Sequence, residues 1–222
     1  DNYYSMKDIY QCIVCGLFVE ENNHCSSPCR KIMSGRQRLL LSKFLSLILR
    51  HKPKEFNIQL SSDGFVNILN VVDVASKYYR WVTPKHIEAI AFLDSRERFE
   101  IINGMVRAKY GHSIPVNIKY PEALNVQVLY HGTSEENLKN ILEEGVKPRQ
   151  RLYVHLTSSI EDAWINARRK GKPVVLVIDA EGMIKNKFKI FKASRNIYLT
   201  KFIPSIYIIK VLRISSYSSI YV

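Results

Sequence analysis

The sequence predicts an α+β protein, because helical and strand-like segments follow one another without regular alternation. Helical periodicity dominates residues 38–50, a hairpin signal stands at Asn103-Gly104, and only short strand-like runs follow residue 173. All four cysteines of the 222 residues lie between positions 12 and 29. A small segment held by its thiols is therefore expected to precede the helices.

The charge of the chain indicates its class of partner. The formal net charge is +13 and the isoelectric point is near 9.6. Neutralising phosphates is the commonest use of such a surplus, although general solubility or affinity for an anionic membrane surface would give the same balance. No apolar run is long enough to cross a bilayer or to form a signal peptide. We expect a soluble, cytoplasmic protein with no membrane partner.

The cysteine spacing predicts a structural zinc site. Cys12-x2-Cys15 and Cys25-x3-Cys29 are two close pairs of thiols that can complete a tetrahedral S4 site. The second spacing is the looser one, so His24 could replace a cysteine; two disulfides or idle thiols are the remaining alternatives. A site closed by four protein ligands stabilises folding and does not catalyse.

A helix is predicted over the run RQRLLLSKFLSLILR, with apolar residues at i, i+3, i+4 and i+7. It should end near Arg50-His51, because Pro53 disfavours helical geometry just before it. A guanidinium and an imidazolium side by side could bind phosphate. From this pattern alone, a simple match of the two cations to the helix dipole is the better interpretation.

The next segment predicts a small winged-helix-like arrangement. Asp63-Gly64 indicates a hairpin turn, residues 66–79 read as a helix, and Thr83-Pro84 should cap a further helix that ends near Asp94. Helices and a small hairpin in this order are common in nucleic-acid-binding proteins.

The hairpin of residues 98–109 is the clearest one in the chain, because Asn103-Gly104 favours a tight primed turn. A two-residue loop places Glu100 opposite Arg107 on one face. We expect Glu100 to orient Arg107 and Arg98 to remain free for a phosphate. A solvated charged face fits the pattern equally well.

Residues 126–157 predict a strand, a helix and a second strand that together form an anion site. The first strand ends at His131-Gly132-Thr133, Thr133 and Glu136 read as a capping box, and Gly145 should end the helix. The second strand is expected over 152–156, with Arg151 at its start and His155 near its end. Two strand ends and a helix start suit an anionic ligand. Ordinary packing histidines are an equally good interpretation of this spacing.

The rest of the chain predicts a helix opened by Ser158 and Glu161, followed by strands over 173–178, 187–191, 196–199 and 206–214.

Several of these segments resemble the NAD-dependent RNA 2′-phosphotransferases. The resemblance lies in LSKFLSLILRHKP at residues 41–53, RFEI with VRAKYGHS at 98–113, HGT through ILEEG to RLYVHL at 131–156, and NIYLTKFIPSIYI at 196–208. The motifs stand in the family's order and span about residues 38 to 210. Tyr110 departs from the family's usual Gln before Gly111.

The resemblance implies the fold and the reaction. It implies a zinc-ribbon-like segment over 1–34, a winged-helix-like RNA lobe over 35–120 and a split-sheet, ADP-ribosyltransferase-like NAD lobe over 121–222. The chain has no G-x-G-x-x-G, so Rossmann-type NAD binding is not expected. The implied reaction moves an internal RNA 2′-phosphate, as found in spliced tRNA, to NAD. Its products are 2′-OH RNA, ADP-ribose 1″,2″-cyclic phosphate and nicotinamide.

The resemblance also implies roles for residues. The implied groups are Arg50, His51, Arg98 and Arg151 for catalysis; His131, Gly132, Thr133, His155 and Thr157 for NAD; Lys43, Arg98, Arg107 and His112 for RNA phosphates; and Cys12, Cys15, Cys25 and Cys29 for zinc. A monomer with no protein partner is expected. Two other functions stay open: an ADP-ribosyltransferase acting on nucleic-acid terminal phosphates or on protein, and a non-catalytic RNA-binding module.

Overall fold

The computed structural model describes residues 6–213 of the chain. These residues form six α-helices and four β-sheets, which confirms the mixed α and β class. The chain divides into two units, one up to Ile118 and one from Lys119 onwards. Positions 1–5 and 214–222, and with them the ends of the predicted domains and of the strand over 206–214, lie outside the described residues. The division into three parts at 34 and 120 stays a prediction.

The first unit combines three small antiparallel sheets with three helices. Its sheets have the strand orders β2-β1-β5, β3-β4 and β6-β8-β7. In chain order the elements are β1 (Ile9–Gln11), β2 (Phe18–Val19), β3 (Asn23–His24), β4 (Ser27–Pro28), β5 (Arg30–Met33), α1 (Gly35–Arg50), a 3₁₀ turn (Pro53–Phe56), β6 (Val66–Asn67), α2 (Ile68–Tyr78), α3 (Pro84–Leu93), β7 (Phe99–Ile102) and β8 (Met105–Ala108).

One hydrophobic core joins all parts of this unit. Leu41, Leu45 and Ile48 of α1 are fully buried, as their helical spacing predicted. Ile9 of β1 and Met33 of β5 belong to the same buried cluster. The cysteine-bearing segment between these two strands is therefore anchored on the core beside α1.

The predicted hairpin at Asp63-Gly64 is only a turn. Gly64 donates its backbone N–H to Ser61 O at 2.9 Å, and residues 58–61, immediately before the turn, form no strand. The short strand β6 pairs with β8 instead, and α2 begins after it, with the Asn67 side chain accepting the N–H of Leu69. The predicted start at Thr83-Pro84 is confirmed.

The β7–β8 hairpin has the predicted register. Glu100 lies opposite Arg107, and the turn falls at Asn103-Gly104. Phe99 and Val106 are buried on the opposite face, where they contact the core of the unit. The alternation of the strand residues therefore separates an apolar face from a charged one.

The second unit is built on one six-stranded antiparallel sheet with the order β12-β13-β10-β9-β11-β14. Its elements are β9 (Val128–Ser134), α4 (Glu135–Glu144), β10 (Val154–Thr157), α5 (Ile160–Arg168), β11 (Pro173–Asp179), α6 (Ala180–Lys185), β12 (Ile190–Lys192), β13 (Ile197–Thr200), a 3₁₀ turn (Ser205–Tyr207) and β14 (Ile208–Arg213).

Both faces of this sheet are covered. Along β11, Val174 and Leu176 face one apolar cluster, while Val175 between them packs with Ala163 and Trp164 of α5. In the middle of the sheet, β9 and β10 share a single registered pair, Thr157 with Tyr130. The sheet is thereby nearly divided into two three-stranded halves.

Several predicted boundaries in this unit are wrong by one or two residues. β9 continues through Thr133 to Ser134 because its pairing with β11 holds the chain extended, so α4 begins after Ser134 and the Thr133/Glu136 capping box does not form. Likewise β10 covers 154–157, and Ser159, not Ser158, caps α5. Helix α6 was not predicted. Gly145 does end α4.

None of the described helices combines the length and the apolar character that crossing a bilayer requires.

Candidate active site

Arg50 and His51 end helix α1 as the sequence predicted. Ser34 starts this helix with a capping box, in which its Oγ accepts from Gln37 N at 3.2 Å and its N–H donates to Gln37 Oε1 at 2.9 Å. His51 is the C-terminal cap and donates its N–H to Leu47 O at 3.1 Å. Arg50 is buried, with 7% of its surface exposed. A buried cation must be held by its surroundings.

Arg50 is held from the side by the segment Tyr110-Gly111. The Arg50 Cζ lies 5.0 Å from the centroid of the Tyr110 ring, a cation–π contact. Gly111 has a φ of 88°, and a Cβ there would lie 2.9 Å from Arg50 Cζ. The phenol of Tyr110 donates to Arg96 O at 2.7 Å, and burial raises its pKa to about 12. Tyr110 therefore stays protonated and rigid beneath the guanidinium.

His51 is held by Ser113 of the same segment. Ser113 Oγ lies 2.8 Å from His51 Nδ1. The backbone N–H of Ser113 donates to Arg50 O at 3.0 Å, which occupies one of the carbonyls left unpaired at the end of α1. The loop after β8 thus fixes both members of the Arg-His pair.

The sequence predicted that Arg98 would remain free for a phosphate. In the structure Arg98 instead forms a two-point ion pair with Asp94. Its Nε and Nη2 lie 2.9 and 3.0 Å from the two Asp94 carboxylate oxygens. Burial favours the neutral form of Asp94, but the hydrogen bonds and the charge of Arg98 outweigh it and lower the Asp94 pKa. The prediction missed this partner because Asp94 follows a helix and was assigned only to its end.

The side chains assigned to RNA phosphates occupy different environments. Lys43 is exposed on α1. Arg107 donates through Nε to Glu100 Oε2 at 2.8 Å, as predicted, and its Cζ lies 4.3 Å from the centroid of the Phe65 ring. His112 is only 3% exposed, and burial, with Arg50 adding to it, lowers its pKa to about 4. His112 is thus neutral at pH 7, so its assignment to an RNA phosphate stays a prediction in which it would act as a neutral hydrogen-bond donor.

In the second unit, His131 and His155 are joined across β9 and β10. His131 Nδ1 lies 2.8 Å from His155 O. Because a carbonyl oxygen only accepts, the proton of His131 lies on Nδ1 and its Nε2 carries a lone pair. Burial lowers the pKa of His131 to about 4, and the charge of Lys170 adds to this effect. His131 is therefore a neutral hydrogen-bond acceptor.

Of the other residues assigned to NAD, Gly132, Thr133 and Thr157 are buried in the sheet and His155 is partly buried. Thr133 and Thr157 are each 3% exposed, and Thr157 Oγ1 accepts the N–H of Ser159 at 3.0 Å. Gly132 is required for packing, since a Cβ there would lie 2.3 Å from Ala163 O of α5. The strand carrying His131 can therefore approach the helix closely.

Lys170 and Arg149, which the sequence did not single out, form a group of cations with Arg151 in the same unit. Lys170 donates through Nζ to Gly132 O at 2.7 Å. Partial desolvation, together with the charges of Arg151 and Arg149, lowers its pKa to about 8. Three cations that act on one another favour a bound anion.

The cysteine segment gathers a group suited to a metal ion. The ligand atoms of Cys12, Cys15, His24 and Cys25 all lie within 4.8 Å of one another. His24 Nδ1 is 3.5 Å from Cys15 Sγ and 3.2 Å from Cys25 Sγ. Zinc binds sulfur at about 2.3 Å and nitrogen at about 2.0 Å, so its tetrahedral ligands lie about 3.5 Å apart. This group takes His24 as its fourth member in place of the predicted Cys29.

The thiol of Cys12 is prepared for ligation by the backbone of its own loop. It accepts the N–H of Val14 at 3.4 Å and that of Cys15 at 3.5 Å. The Cys15 N–H is the main cause that lowers the Cys12 pKa to about 6. Metals bind thiolates, so the loop favours the state that a metal requires.

Each unit thus carries an arginine-centred group beside histidines, set into an α and β framework without a Rossmann loop. In the first unit these are Arg50 and Arg98, and in the second they are Arg149, Arg151 and Lys170. Such groups define a class of protein that handles phosphate-bearing ligands.

Comparison with known proteins gives the family. The model of the family described as "RNA 2'-phosphotransferase, Tpt1 / KptA family" matches residues 36–202. A Pyrococcus furiosus protein named "Probable RNA 2'-phosphotransferase" is 44% identical over 174 residues, which cover 78% of this chain and 95% of that protein. A relative of the same name from Hyperthermus butylicus is 40% identical over 211 residues, or 90% and 91% of the two chains.

A third relative extends over nearly the whole chain. The Archaeoglobus fulgidus protein named "Probable RNA 2'-phosphotransferase 1" is 35% identical over 216 residues, which cover 96% of this chain and all of that protein. The chain therefore belongs to the RNA 2′-phosphotransferase, Tpt1/KptA family, as its motifs had indicated. It is an enzyme of that class.

Proposed function

We propose that this enzyme removes the internal 2′-phosphate from RNA of the spliced-tRNA type by transferring it to NAD. The products are 2′-OH RNA, ADP-ribose 1″,2″-cyclic phosphate and nicotinamide. The observation that carries the proposal is the Arg50–His51 pair, which is held as one piece by Tyr110, Gly111 and Ser113. Holding a buried guanidinium and an imidazole in fixed positions favours phosphoryl transfer, in which charge on phosphate oxygens must be stabilised.

The first unit supplies the groups that bind the RNA phosphate. Arg50 and Arg98 provide positive charge, and the Asp94 pair orients the Arg98 guanidinium. His51 donates the proton that the departing 2′ oxygen needs. Lys43 and Arg107 bind neighbouring backbone phosphates. For His112 we retain only the role of a neutral group, whose Nε2 lacks a hydrogen-bond partner within residues 6–213.

The second unit supplies the groups that bind NAD, and the residues present fit this ligand. Its diphosphate needs cations, which Arg149, Arg151 and Lys170 provide. Its sugar hydroxyls need acceptors, which His131 Nε2 provides. Gly132, Thr133, His155 and Thr157 form the wall of this site. When bound, NAD supplies the ribose that receives the phosphate and the nicotinamide that leaves.

A zinc ion held by Cys12, Cys15, His24 and Cys25 would stabilise the segment before α1. Four protein ligands leave no open position on the ion. We therefore propose a structural ion without a role in the chemistry.

The finer fold assignments follow from the same observations. The β7–β8 hairpin with α2 and α3 supports a winged-helix-like RNA lobe, and the single pair between β9 and β10 supports a split-sheet, ADP-ribosyltransferase-like NAD lobe. We propose three parts, 1–34, 35–120 and 121–222, in a cytoplasmic monomer that needs no protein partner.

The test is NAD-dependent release of a labelled internal 2′-phosphate from a short RNA, with the products separated by chromatography. We expect Arg98→Ala and Arg151→Ala to lower turnover at least ~100-fold while the far-ultraviolet circular dichroism stays unchanged. Arg36→Ala and Arg168→Ala remove exposed arginines from the same two units and should retain turnover. Near-normal turnover of Arg98→Ala or Arg151→Ala would reject its assignment. A stable ADP-ribosylated RNA or protein in place of the cyclic phosphate would indicate an ADP-ribosyltransferase.

A further inference from the structure

We propose that Ser113 is a positioning residue that holds the imidazolium of His51 through Nδ1 and thereby assigns Nε2 as the proton donor. This inference rests on the proposed function, in which His51 protonates the departing 2′ oxygen. It adds a residue, an atom and a tautomer to that role.

The backbone fixes Ser113 against the helix end that carries His51. Its N–H donates to Arg50 O at 3.0 Å, so the serine cannot shift along the helix without losing this bond. Its Oγ then lies 2.8 Å from His51 Nδ1 and 3.5 Å from Arg50 O. The hydroxyl thus stands between one nitrogen and one carbonyl oxygen.

The direction of the hydrogen bonds follows from the chemistry of the three atoms. In an imidazolium both ring nitrogens carry hydrogen, so His51 Nδ1 must donate to Ser113 Oγ, and the hydroxyl hydrogen is then directed to Arg50 O, 3.5 Å away. The lone pairs of Oγ then accept the hydrogen on His51 Nδ1. Both nitrogens of an imidazolium are donors, so this arrangement satisfies the charged ring. After the ring has lost the proton of Nε2, the remaining hydrogen is already on Nδ1.

His51 must carry its proton beside a second positive charge. Arg50 precedes His51 in the chain and carries a buried positive charge. The neighbouring His112 shows the effect, since burial together with the charges of Arg50 and His51 lowers its pKa to about 4. A hydrogen bond to the charged form of a group favours that form, and Ser113 Oγ lies where it can accept one from His51 Nδ1.

The proton transfer balances with this assignment. When the P–O2′ bond breaks, its electron pair goes to O2′, and the proton of Nε2 completes the RNA 2′-hydroxyl. Phosphorus forms its new bond to the 2″-hydroxyl oxygen of the ADP-ribose, and the proton of that hydroxyl passes to solvent. His51 is left neutral with its hydrogen on Nδ1, where Ser113 still accepts it.

The kinetic test compares Ser113→Ala with Ser113→Thr. Losing an orienting partner of this kind costs about 10- to 100-fold, so Ser113→Ala should lower kcat by this factor with little change in KM. The high-pH limb of its pH–rate profile, which reports deprotonation of the acid, should move to lower pH. Ser113→Thr keeps the hydroxyl. It should therefore retain most of the wild-type rate, and the high-pH limb of its profile should lie near the wild-type position.

Ser46→Ala is the matched control. Ser46 lies on the same helix as Arg50, and its Oγ has no hydrogen-bond partner within residues 6–213. It is the same substitution without a lost bond, so the rate and the profile should stay as in the wild type. A merely structural effect of Ser113→Ala would lower stability without moving the limb.

The decisive spectroscopic measurement is made on the wild-type protein and does not depend on a variant that folds. In ¹⁵N-labelled wild-type protein, the neutral His51 ring should show its hydrogen on Nδ1, and Ser113→Ala should show a mixture of tautomers. A wild-type ring protonated on Nε2 would overturn the proposal, as would a Ser113→Ala profile identical to that of Ser46→Ala. If His51→Ala itself retains turnover, the failure lies instead in the proposed role of His51.

Discussion

Tyr110 stands where the resembling motif usually has Gln. Its surroundings give a physical reason for an aromatic residue at this position. Its ring supports the Arg50 guanidinium, and its hydroxyl is anchored on Arg96 O. An aromatic face attracts a buried cation. The aromatic ring at position 110 therefore helps to hold Arg50 in place.

The Tyr110 ring can be tested by substitution. We expect Tyr110→Leu to lower kcat/KM about tenfold, because a desolvated cation–π contact is worth about 1 to 2 kcal/mol. Tyr110→Phe keeps the ring and should retain most of the activity while losing about 1 kcal/mol of stability with the bond to Arg96. Steady-state kinetics and urea unfolding measure the two effects. Equal activity of the Leu and Phe variants would exclude the ring contact.

Asp94 orients Arg98, so Asp94→Asn should lower the reaction rate about 10-fold or more although Asp94 itself touches no phosphate. The substitution should also destabilise the first unit by about 2 to 3 kcal/mol, because it leaves the Arg98 cation with a neutral partner. Glu20→Gln is the control, since Glu20 pairs with Arg38 of the same unit at 2.7 Å. It should lower stability only. Unchanged turnover of Asp94→Asn would remove the positioning role.

At the scale of elements, Gly132 decides how closely strand β9 and helix α5 pack. A Cβ at this position would lie 2.3 Å from Ala163 O and 2.9 Å from Ala167 N, and backbone atoms cannot move aside cheaply. The glycine between His131 and Thr133 thus has a packing role, and it sets the position of the side chains that we propose bind NAD.

We therefore expect Gly132→Ala to lower the free energy of unfolding by about 3 kcal/mol through overpacking. Gly104→Ala is the control, because Gly104 has open space around it and only its φ of 75° opposes a side chain. That change should cost about 1 kcal/mol. Denaturant unfolding measures both. Similar losses in the two variants would mean that α5 yields to the added methyl.

We expect the cysteine segment to depend on a metal more than on its own apolar contacts. Among residues 6–34, only Ile9 and Met33 are buried members of the core of the unit, with Phe18 and Ile32 packed against it. Chelation of zinc should lower the melting temperature by about 10 °C or more. His24→Ala should weaken zinc binding more than Cys29→Ser, as measured by competition with a chromophoric chelator. A larger effect of Cys29→Ser would restore the ligand set predicted from the sequence.

At the scale of the whole molecule, each unit contains a neutral histidine that acid must charge. Burial holds the pKa of His112 and that of His131 at about 4, against about 6.5 in an unfolded chain. Between these values the unfolded state binds more protons than the folded state, so stability falls as the pH is lowered from 6.5 to 4.

Each histidine should contribute about 2 to 3 kcal/mol to the loss of stability as the pH falls. We expect the free energy of unfolding of His112→Asn to fall less steeply over pH 6.5 to 4, with about one proton fewer taken up on unfolding. Urea titrations at a series of pH values give this slope. A variant slope equal to that of the wild type would show that His112 is charged in the folded state.

The sequence predicted the elements whose signal is local. Helix α1 and the β7–β8 hairpin were placed correctly because apolar periodicity and the Asn103-Gly104 turn act within a few residues. The start of α4 was misplaced because pairing of β9 with β11, a partner forty residues away, holds Thr133 in the strand. Tertiary pairing outweighs a local cap.

By itself, the sequence determined the family, the general class of fold and which cationic residues to examine. Motifs and apolar periodicity depend only on which residues follow one another along the chain. Only the tertiary structure decided what each side chain contacts. It gave Arg98 its partner Asp94, His51 its partner Ser113, and the metal group its His24. The physical reason is that charge, burial and hydrogen bonding depend on distances between atoms, and the chain fixes those distances only after it has folded.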